Sequence, residues 1–536
     1  MHRPAPPPAA PRDRVPRWAA GLVVVVAVAA VAGALAGVAR SDEAPFPHPS
    51  GPVDVAGPIN TAFPGLTTFR GNASRSYYGQ GPVPTDPVKR WTFPADGQKL
   101  CAMSAETQTG PKKLWCGTGW TGQPNVVPFR GGWQVRIGAF DDHYHFLDAG
   151  TGVTSFPDLV TGDLAKGSAT TDADGYPLYY AGSRDNQLRV IAMDRATPTV
   201  LWQADAHTTV PQPLWNDDWD GAPLQIGDYL LEGGENSWFY VIRLHRGYGP
   251  DGLVRVDPQI VATVPGWDQQ LLNDLHDPPP QPDVSIENSV AYRDGIVYFA
   301  NSGGLVQGWD ISDLLAGGTS PPKRVFRFWT GDDTDASVVI DREGFLYVAS
   351  EYQRFNARAK ELGQLMKLDP RRPNDPVVWS IPATEIGFEG AGGSWATPAL
   401  YGDYVYFTTA AGRVLEVQRS TGRIVWEEQI NAPTIASPVV VDGTLLQGDC
   451  SGHLYAWDVS DPTVPPPLEW DLNLGDCIES TPAVWDGWLY VGTREGFIYG
   501  VADADTPPPT GSGPSASPSP SASPSVSASP SVSASP

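Results

Sequence analysis

The sequence has little cysteine, little charge and no long amphipathic helix. Four of its 536 residues are Cys, and charged residues make up 18%. Asp and Glu number 60 against 36 Lys and Arg, a net charge of −24 that repels phosphate backbones and excludes nucleic acid as a partner. A helical pattern is found only at Asn356–Leu365, which excludes a helical bundle.

Common catalytic motifs are also missing. The chain has no G-x-S-x-G, H-E-x-x-H or Walker sequence, and no C-x-x-C pair with zinc spacing. His143 and His145 share one face of a strand and could bind a metal as a pair, although such residues near a hairpin more often face solvent. Motifs therefore predict no catalytic residue.

An uncharged stretch at residues 18–39 predicts a transmembrane anchor, because as a helix it spans a hydrocarbon core of roughly 30 Å. Four Arg precede it and two acidic residues follow it. The positive-inside rule then places residues 1–17 in the cytoplasm and the rest outside the cell membrane, as a single-pass protein. The alternative is a cleaved signal peptide, but the apolar run exceeds the usual length of such a segment.

The four cysteines follow this anchor, so they lie in a compartment that favours disulfides. Four cysteines allow three pairings. The local pairing, Cys101 with Cys116 and Cys450 with Cys477, is the simplest. Buried free thiols are the alternative.

Low-complexity segments flank the middle of the chain. Residues 506–536 contain only Ser, Pro, Ala, Val, Gly and Thr, so they bury almost no apolar surface and are predicted to form a disordered tail. Residues 40–65 are rich in Pro and Gly and are predicted to be a linker. The folded domain is therefore expected at residues 66–505.

This domain repeats one pattern: a small polar start, an apolar strand, a turn with Gly and a second apolar strand. Clear copies are SPVVVDGTLLQGDCSGHLYAWD from Ser437 and TPAVWDGWLYVGTREGFIYGVAD from Thr481. β-Branched and aromatic residues around Asp-Gly indicate antiparallel hairpins. The turns fall near Gly131, Gly175, Gly227, Gly295, Gly344, Gly402, Gly443 and Gly487. Because a propeller blade needs about 40–50 residues, the pattern predicts an all-β, eight-bladed β-propeller, with seven blades as the alternative.

The chain ends are predicted to close this propeller. Several units end in an apolar run around a Trp, at Trp202, Trp379, Trp426 and Trp470. The last unit lacks such a strand, but a lone copy around Trp91 precedes the first unit. An N-terminal strand should therefore complete the last blade and cover its edge.

Some of these runs resemble a known repeat. Residues 192–198, AMDRATP, followed by Trp202, are similar to the AxDxxTGxxxW repeat of quinoprotein-type propellers, and degenerate copies lie at 148–152 and 419–422. On these motifs, residues 66–505 resemble the pyrroloquinoline-quinone-like propeller family. The resemblance implies the fold. The family contains alcohol and glucose dehydrogenases that carry the quinone with calcium, and cofactor-free scaffolds such as the outer-membrane assembly lipoprotein.

Two functions follow from this resemblance. The family's alcohol dehydrogenases look recognisable by a vicinal Cys-Cys pair, and this chain has neither that pair nor a C-x-x-C-H haem motif. We therefore expect a monomeric, membrane-tethered, extracytoplasmic binding or scaffold propeller without catalysis or cofactor. Its ligand would be an unknown protein, sugar or small molecule. The alternative is an alcohol or sugar dehydrogenase that depends on pyrroloquinoline quinone (PQQ) and calcium.

Acidic and aromatic residues just before candidate inner strands are the predicted site. Loops before inner strands crowd one face of a propeller, so these side chains should converge from several blades into a rim that binds a cation, a cationic ligand or a sugar. Like charges there should raise carboxyl pKa values unless a cation, calcium first, neutralises them. The alternative is that they cap turns. The predicted rim comprises Trp215, Asp217, Asp218, Trp219, Asp220, Glu287, Asn288, Asp332, Asp333, Asp335, Trp395 and Glu479.

Overall fold

Each repeat folds into a four-stranded antiparallel sheet, and eight such sheets, blades 1 to 8, form a propeller. The structure is a computed structural model that describes residues 57, 59, 63–107, 110–119, 122–275 and 282–509. The prediction of an all-β, eight-bladed propeller is therefore confirmed.

Blades 1 to 4 each contribute four strands, ordered from the central channel outward. Blade 1 has Asn125–Phe129, Gly132–Ala139, His143–Asp148 and Thr154–Val160. Blade 2 has Thr170–Thr171, Leu178–Ala181, Gln187–Ala192 and Thr199–Asp205. Blade 3 has Leu224–Ile226, Tyr229–Gly233, Trp238–Arg243 and Gln259–Pro265. Blade 4 has Ala291–Arg293, Ile296–Phe299, Leu305–Asp310 and Lys323–Trp329.

Blades 5 to 8 follow the same order. Blade 5 has Val339–Ile340, Leu346–Ala349, Leu365–Leu368 and Val377–Ile381. Blade 6 has Ala399–Tyr401, Tyr404–Thr408, Arg413–Gln418 and Ile424–Gln429. Blade 7 has Val439–Val441, Thr444–Gly448, His453–Asp458 and Leu468–Asn473. Blade 8 has Ala483–Trp485, Trp488–Thr493, Phe497–Asp503 and the N-terminal strand Pro87–Phe93.

Shorter elements lie outside the blades. Three strand pairs join Cys101–Ala105 to Lys112–Cys116, Gly247–Tyr248 to Val254–Arg255, and Glu351–Tyr352 to Gly392–Gly393. The helices are Gln269–Leu275, Ser312–Leu315, Ala357–Leu362 and a 3-10 turn at Phe388–Gly390. The third helix falls in the predicted stretch, and the Asn356 side chain caps it by accepting a hydrogen bond from the Arg358 N–H.

The predicted closure is confirmed. Pro87–Phe93 runs antiparallel to Phe497–Asp503, so the N-terminal strand is the outer strand of blade 8. A second pairing was not foreseen: Gly79–Gln80 lies parallel to the inner strand Ala483–Trp485. Both edges of the last blade are thus covered by N-terminal chain.

The Trp and Gly of the repeat motif meet between blades. The Trp91 indole donates to the Ala149 carbonyl at 3.0 Å, and a Cβ on Gly152 would lie 2.6 Å from the Trp91 ring. Trp379 stands in the same way against Gly422, where a Cβ would lie 2.6 Å from the ring. Gly152 and Gly422 therefore leave room for the Trp of the preceding blade.

Small hydroxyl residues at the start of the inner strands form a belt around the channel. The N–H of Ser289 donates to Ser337 Oγ at 2.9 Å, that of Ser337 to Thr397 Oγ1 at 3.0 Å, and that of Thr397 to Ser437 Oγ at 2.9 Å. Each hydroxyl thus satisfies a buried N–H of the preceding blade, which explains the small polar start of each repeat.

Residues 66–78 fill one end of the channel, a feature that the repeat pattern did not predict. Arg70 and Arg75 are fully buried. The Arg70 guanidinium donates to the carbonyls of Pro398 and Pro438, and that of Arg75 donates to Val290 and other carbonyls. One short segment therefore bonds to inner strands on opposite sides of the ring.

Both disulfides have the predicted local pairing, Cys101–Cys116 and Cys450–Cys477. The predicted transmembrane stretch lies outside the described residues. Among the residues that are described, no helix is long and apolar enough to cross a membrane. The predicted tail is described only to residue 509, and its first residues touch the propeller: the Trp488 indole donates to the Pro507 carbonyl at 2.8 Å.

Candidate functional site

Three equivalent positions in each blade determine the chemistry of one face of the propeller, which we call the cluster face. In every blade the N–H of a residue one to three positions after the second strand donates to the carbonyl of a residue in the loop before the inner strand, at 2.8–2.9 Å. The position two residues after that carbonyl completes the set. The sets for blades 2 to 6 are Leu164, Lys166, Arg184; Asp218, Asp220, Glu235; Ser285, Glu287, Ser302; Asp333, Asp335, Glu351; and Gly393, Trp395, Ala410.

Blades 3 and 5 therefore carry the same three buried carboxylates. In each triad one carboxylate oxygen from each residue lies within 4.8 Å of the other two, and the residues are at most 7% exposed. We call Asp218, Asp220 and Glu235 the lysine-bound triad, and Asp333, Asp335 and Glu351 the open triad. Such an arrangement suits a cation in both cases.

Blade 2 supplies the cation of the lysine-bound triad. Lys166 Nζ lies 2.5 Å from Asp220, 2.7 Å from Glu235 and 3.4 Å from Asp218. Arg184 Nε pairs with Asp218 at 2.5 Å. Burial alone would lower the pKa of the Lys166 ammonium, but Asp220 and Glu235 raise it well above its usual value. The lysine is therefore a permanent internal counter-ion.

Burial and the cationic partners have opposite effects on the carboxyl pKa values of this triad. Burial, followed by Glu235, raises the pKa of Asp218 to about 6, while Lys166 and Arg184 act in the opposite direction. Burial raises the pKa of Glu235 to about 7 against the effect of Lys166. One ammonium and one guanidinium thus compensate most, but not all, of three buried negative charges.

The open triad has neutral hydrogen-bond donors as neighbours, but among the described residues no lysine lies between its carboxylates. Gln353 Nε2 donates to Asp333 Oδ2 at 2.6 Å, and Ser302 Oγ donates to Asp335 Oδ1 at 3.0 Å. Asp333 Oδ1 and both carboxylate oxygens of Glu351 have no hydrogen-bond partner among the described residues. Burial, then neighbouring carboxylates, raise the pKa of Glu351 and Asp333 well above their usual values.

Further acidic groups surround the open triad. Burial and Asp335 raise the pKa of Glu287, which accepts a hydrogen bond from Ser285 Oγ at 2.8 Å. Burial raises the pKa of Asp283 to about 7, and Arg354 pairs with its carboxylate at 3.5 Å. Arg354 is thus a cation of this region, and the carboxylate of this ion pair lies outside the triad.

Asp335 also borders the central channel. With Asn288, Phe69 and the hydroxyl belt it lines a cavity of about 10 Å³. A space of this size holds one water-sized particle. The open triad therefore adjoins room for a single ion or water.

The predicted rim residues fall into separate groups. Asp218, Asp220, Glu287, Asp333 and Asp335 come together from blades 3, 4 and 5, and Asp332 lies beside them, accepting the Arg354 N–H at 3.0 Å. Glu479 of blade 8 pairs with Arg494 at 3.0 Å. Asp217 pairs with His207, and burial raises its pKa to about 6.

The remaining predicted residues have structural contacts. Asn288 donates its amide to the carbonyls of Ala300 and Thr334. Trp219 is buried against Tyr240, with ring centroids 5.1 Å apart. Trp395 packs edge-on against Phe388, and Trp215 has a positive φ of 66°.

Sequence reasoning missed Lys166, Arg184, Glu235 and Glu351. It considered only acidic and aromatic residues in the loops before inner strands, so it passed over Lys166 in such a loop and the residues that follow second strands. In an antiparallel blade the second strand returns to the end where the first began, so the residue after it reaches the same face. A Glu or Arg within three residues after the second apolar strand of a repeat was therefore the available signal for Arg184, Glu235 and Glu351.

The disulfide-bonded hairpin Cys101–Cys116 lies on the cluster face as well. Arg184 Nη1 donates to the Ala105 carbonyl at 3.0 Å, and Asn216 Nδ2 donates to that of Glu106 at 3.3 Å. The Trp115 ring lies under the Arg184 guanidinium, 5.0 Å from its centroid. The hairpin thus rests against the residues that neutralise the lysine-bound triad.

The residues of the cluster face fit calcium better than the quinone. Carboxylate oxygens are the ligands that calcium prefers, and the open triad offers three such side chains. Pyrroloquinoline quinone is itself a carboxylate-bearing anion, so an excess of buried carboxylates repels it. The cavity of about 10 Å³ at Asp335 is also far smaller than a tricyclic ring system.

Comparisons with known proteins agree with this fold. A family model described as outer membrane protein assembly factor BamB matches residues 377–505, from the outer strand of blade 5 to the end of blade 8. The quinoprotein alcohol dehydrogenase PedH of Pseudomonas putida is 26% identical over 118 residues, which are 21% of this chain and 18% of that enzyme. The match thus spans less than a fifth of the relative's length.

Solved structures give the same class of fold over more of the chain. The quinohemoprotein alcohol dehydrogenase ADHIIG of Pseudomonas putida HK5 superposes with a TM-score of 0.53 at 10% identity, covering 82% of this chain and 80% of that one. The corresponding enzyme of Comamonas testosteroni gives 0.50 at 11% identity with the same coverage. At these identities the similarities show a shared β-propeller fold.

The family model and the PedH match support the resemblance to pyrroloquinoline-quinone-like β-propeller repeats that the AxDxxTGxxxW-like motifs predict. These motifs pack between blades, so the resemblance describes the architecture. The chemistry of the individual protein lies in the three cluster-face positions of each blade.

Proposed function

We propose that this protein is a membrane-anchored, extracytoplasmic binding propeller whose open triad holds a divalent cation, with calcium as the best fit. The observation that carries the proposal is the Glu351 carboxylate. It is fully buried, no described residue donates a hydrogen bond to either of its oxygens, and the neighbour within hydrogen-bonding reach is another carboxyl group, that of Asp335. A buried carboxylate without a partner costs several kcal/mol, and a cation between Glu351, Asp333 and Asp335 would offset that cost.

The bound cation would act as a structural and binding centre. It would join the loop before the inner strand of blade 5 to the residue after its second strand, and so fix one sector of the cluster face. A rigid, acidic face suits a cationic or hydroxyl-bearing ligand. Residues 18–39 would hold this face at the membrane, and the chain itself would perform no chemistry.

A quinone-dependent dehydrogenase is the second candidate, favoured by the similarity to the quinoprotein alcohol dehydrogenase PedH. The surplus of buried carboxylates argues against it. Addition of quinone and calcium to the full chain, followed by absorbance and dye-linked alcohol oxidation, separates the two functions. Our proposal predicts no quinone band and no dye reduction.

The test of the cation site is a calorimetric titration of the full, EDTA-treated chain with calcium. We expect one bound ion in the wild type and none in Glu351→Gln. Glu416→Gln is the matched control, because Glu416 is a buried carboxylate with a raised pKa in blade 6, remote in sequence from the triad. Absence of calcium binding to the wild type, or equal binding to Glu351→Gln, would refute the proposal.

A further inference from the structure

A second cavity lies on the outer side of the propeller, between blades 4 and 5. Its volume is about 470 Å³, within the range of roughly 300–1,000 Å³ that is usual for small-ligand sites. The outer strand of blade 4, the helix Ala357–Leu362 and the turn before the outer strand of blade 5 form its walls. This cavity is separate from the open triad and goes beyond the function proposed above.

Two arginines, Arg327 and Arg358, and one carboxylate, Asp375, line this outer cavity. The segments at residues 321–329, 356–362 and 369–377 contain seven Lys and Arg against three Asp and Glu, whereas the whole chain has a net charge of −24. A local excess of positive charge in an acidic protein gives an anion one favourable place to bind.

Two arginines of the cavity have different partners. Arg327 makes two hydrogen bonds to Asp268, at 2.8 and 3.0 Å, and Arg324 pairs with the same carboxylate at 2.9 Å. Arg358 stands over the Phe328 ring, with its guanidinium carbon 5.7 Å from the centroid, and has no ion pair with a described carboxylate. Arg358 is therefore the group that has a guanidinium fork available to an anion.

The other walls suit a sugar ring. Trp329 and Phe328 provide aromatic surface, and Pro373 and Pro376 provide apolar faces on the opposite wall. Gln270 and Asn374 line the same space, and each amide can donate to and accept from hydroxyl groups. Aromatic surface, amides and a guanidinium fork together match a ring with hydroxyls and one carboxylate.

We infer that this outer cavity binds an acidic saccharide, with its carboxylate on Arg358 and a ring face against Trp329. The carboxylate would pair with the guanidinium fork in a bidentate manner. Loss of such a charge-assisted interaction reduces affinity about 10-fold or more.

The test is calorimetry on the full chain with trigalacturonic acid, the neutral trisaccharide maltotriose and inorganic phosphate. EDTA is present throughout, so that the result is independent of the proposed cation site. We expect trigalacturonic acid to bind, maltotriose and phosphate to bind at least about 10-fold more weakly, and Arg358→Ala to lose about 10-fold or more in affinity.

Arg255→Ala is the matched control, because Arg255 is an exposed arginine of the blade 3 insertion, paired with Asp251, and it should leave affinity unchanged. If Arg358→Ala does not fold, Arg358→Lys keeps the charge, removes the fork and should still weaken binding. No binding of trigalacturonic acid, equal binding of maltotriose or phosphate, or wild-type affinity in the Arg358 variant that folds would overturn the inference.

Discussion

The two carboxylate triads occupy equivalent positions in blades 3 and 5, yet only one has a lysine between its oxygens. Lys166 lies within 3.4 Å of all three carboxylates of the lysine-bound triad. Glu351 of the open triad has no hydrogen-bond partner among the described residues. The same acidic motif is therefore a finished ion-pair network in one blade and an incomplete one in the other.

The neighbouring blade explains this difference. Arg184 of blade 2 pairs with Asp218 of blade 3, and Lys166 comes from the same blade. At the corresponding junction, blade 4 has Glu287 in the position of Lys166 and Ser302 in the position of Arg184. Blade 4 therefore adds a further carboxyl group beside the open triad instead of a cation. Chemistry on this face is thus set between blades rather than within one.

The largest expected effect is on the lysine-bound triad. Lys166→Met leaves three buried carboxylates without their ammonium, so we expect a loss of about 3–5 kcal/mol in the free energy of unfolding. Calcium should restore part of this loss, because the variant turns the lysine-bound triad into an open one. Chemical denaturation with calcium or EDTA measures both effects.

Lys113→Met is the control for that experiment, because Lys113 pairs with Glu106 at the surface and is half exposed. A Lys166→Met variant as stable as this control would contradict the role of the lysine as an internal counter-ion.

Glu351→Gln should change the free energy of unfolding in the opposite direction. In EDTA it removes a buried charge that has no partner, so we expect a gain of about 1–3 kcal/mol in the free energy of unfolding. In calcium the variant should gain nothing from the ion, whereas the wild type should. Denaturation curves with and without calcium show both; a variant destabilised in EDTA would mean that Glu351 already has a favourable partner.

The pH dependence of the metal-free protein follows from the same residues. The pKa values of Glu351 and Asp333 are raised in the folded state, so the folded chain binds more protons than the unfolded chain above the ordinary carboxyl pKa of about 4. Their contribution to stability is therefore present at low pH and is lost as the pH rises above about 4.

Denaturation midpoints at pH 5 and pH 8 in EDTA measure this loss. Glu351→Gln should lose less stability over that interval than the wild type, and calcium should reduce the difference. Equal pH slopes for both chains would show that Glu351 does not titrate in this range.

The smallest expected effect is at Gln353, which donates to Asp333 Oδ2 at 2.6 Å. This amide orients a proposed ligand without touching the ion. Gln353→Leu should weaken calcium binding several-fold, equivalent to about 1 kcal/mol, with the number of bound ions unchanged. Calorimetry distinguishes this from the complete loss expected for Glu351→Gln.

The architecture could be predicted from the sequence because each repeat corresponds to one blade. The spacing of the turn glycines indicated the number of blades, and the lone strand around Trp91 indicated the closing element. Two features have no signal in the repeat. One is the pairing of Gly79–Gln80 with the inner strand of blade 8. The other is the channel segment, where Arg70 and Arg75 donate to carbonyl groups of strands that are distant in sequence.

The sequence predicted the candidate site only in part. It indicated Asp218, Asp220, Asp333 and Asp335 because they precede inner strands. It could not show that Lys166 meets the first pair and that no lysine meets the second, since this depends on the packing of adjacent blades. The distinction between the triads was therefore visible only in three dimensions.

The most direct test of a cation in the open triad is a crystal structure of the full chain grown in calcium. We predict one ion bonded at about 2.3–2.6 Å to oxygens of Asp333, Asp335 and Glu351, with Lys166 Nζ in the other triad. An ion at the lysine-bound triad, or an open triad without an ion at saturating calcium, would contradict this prediction.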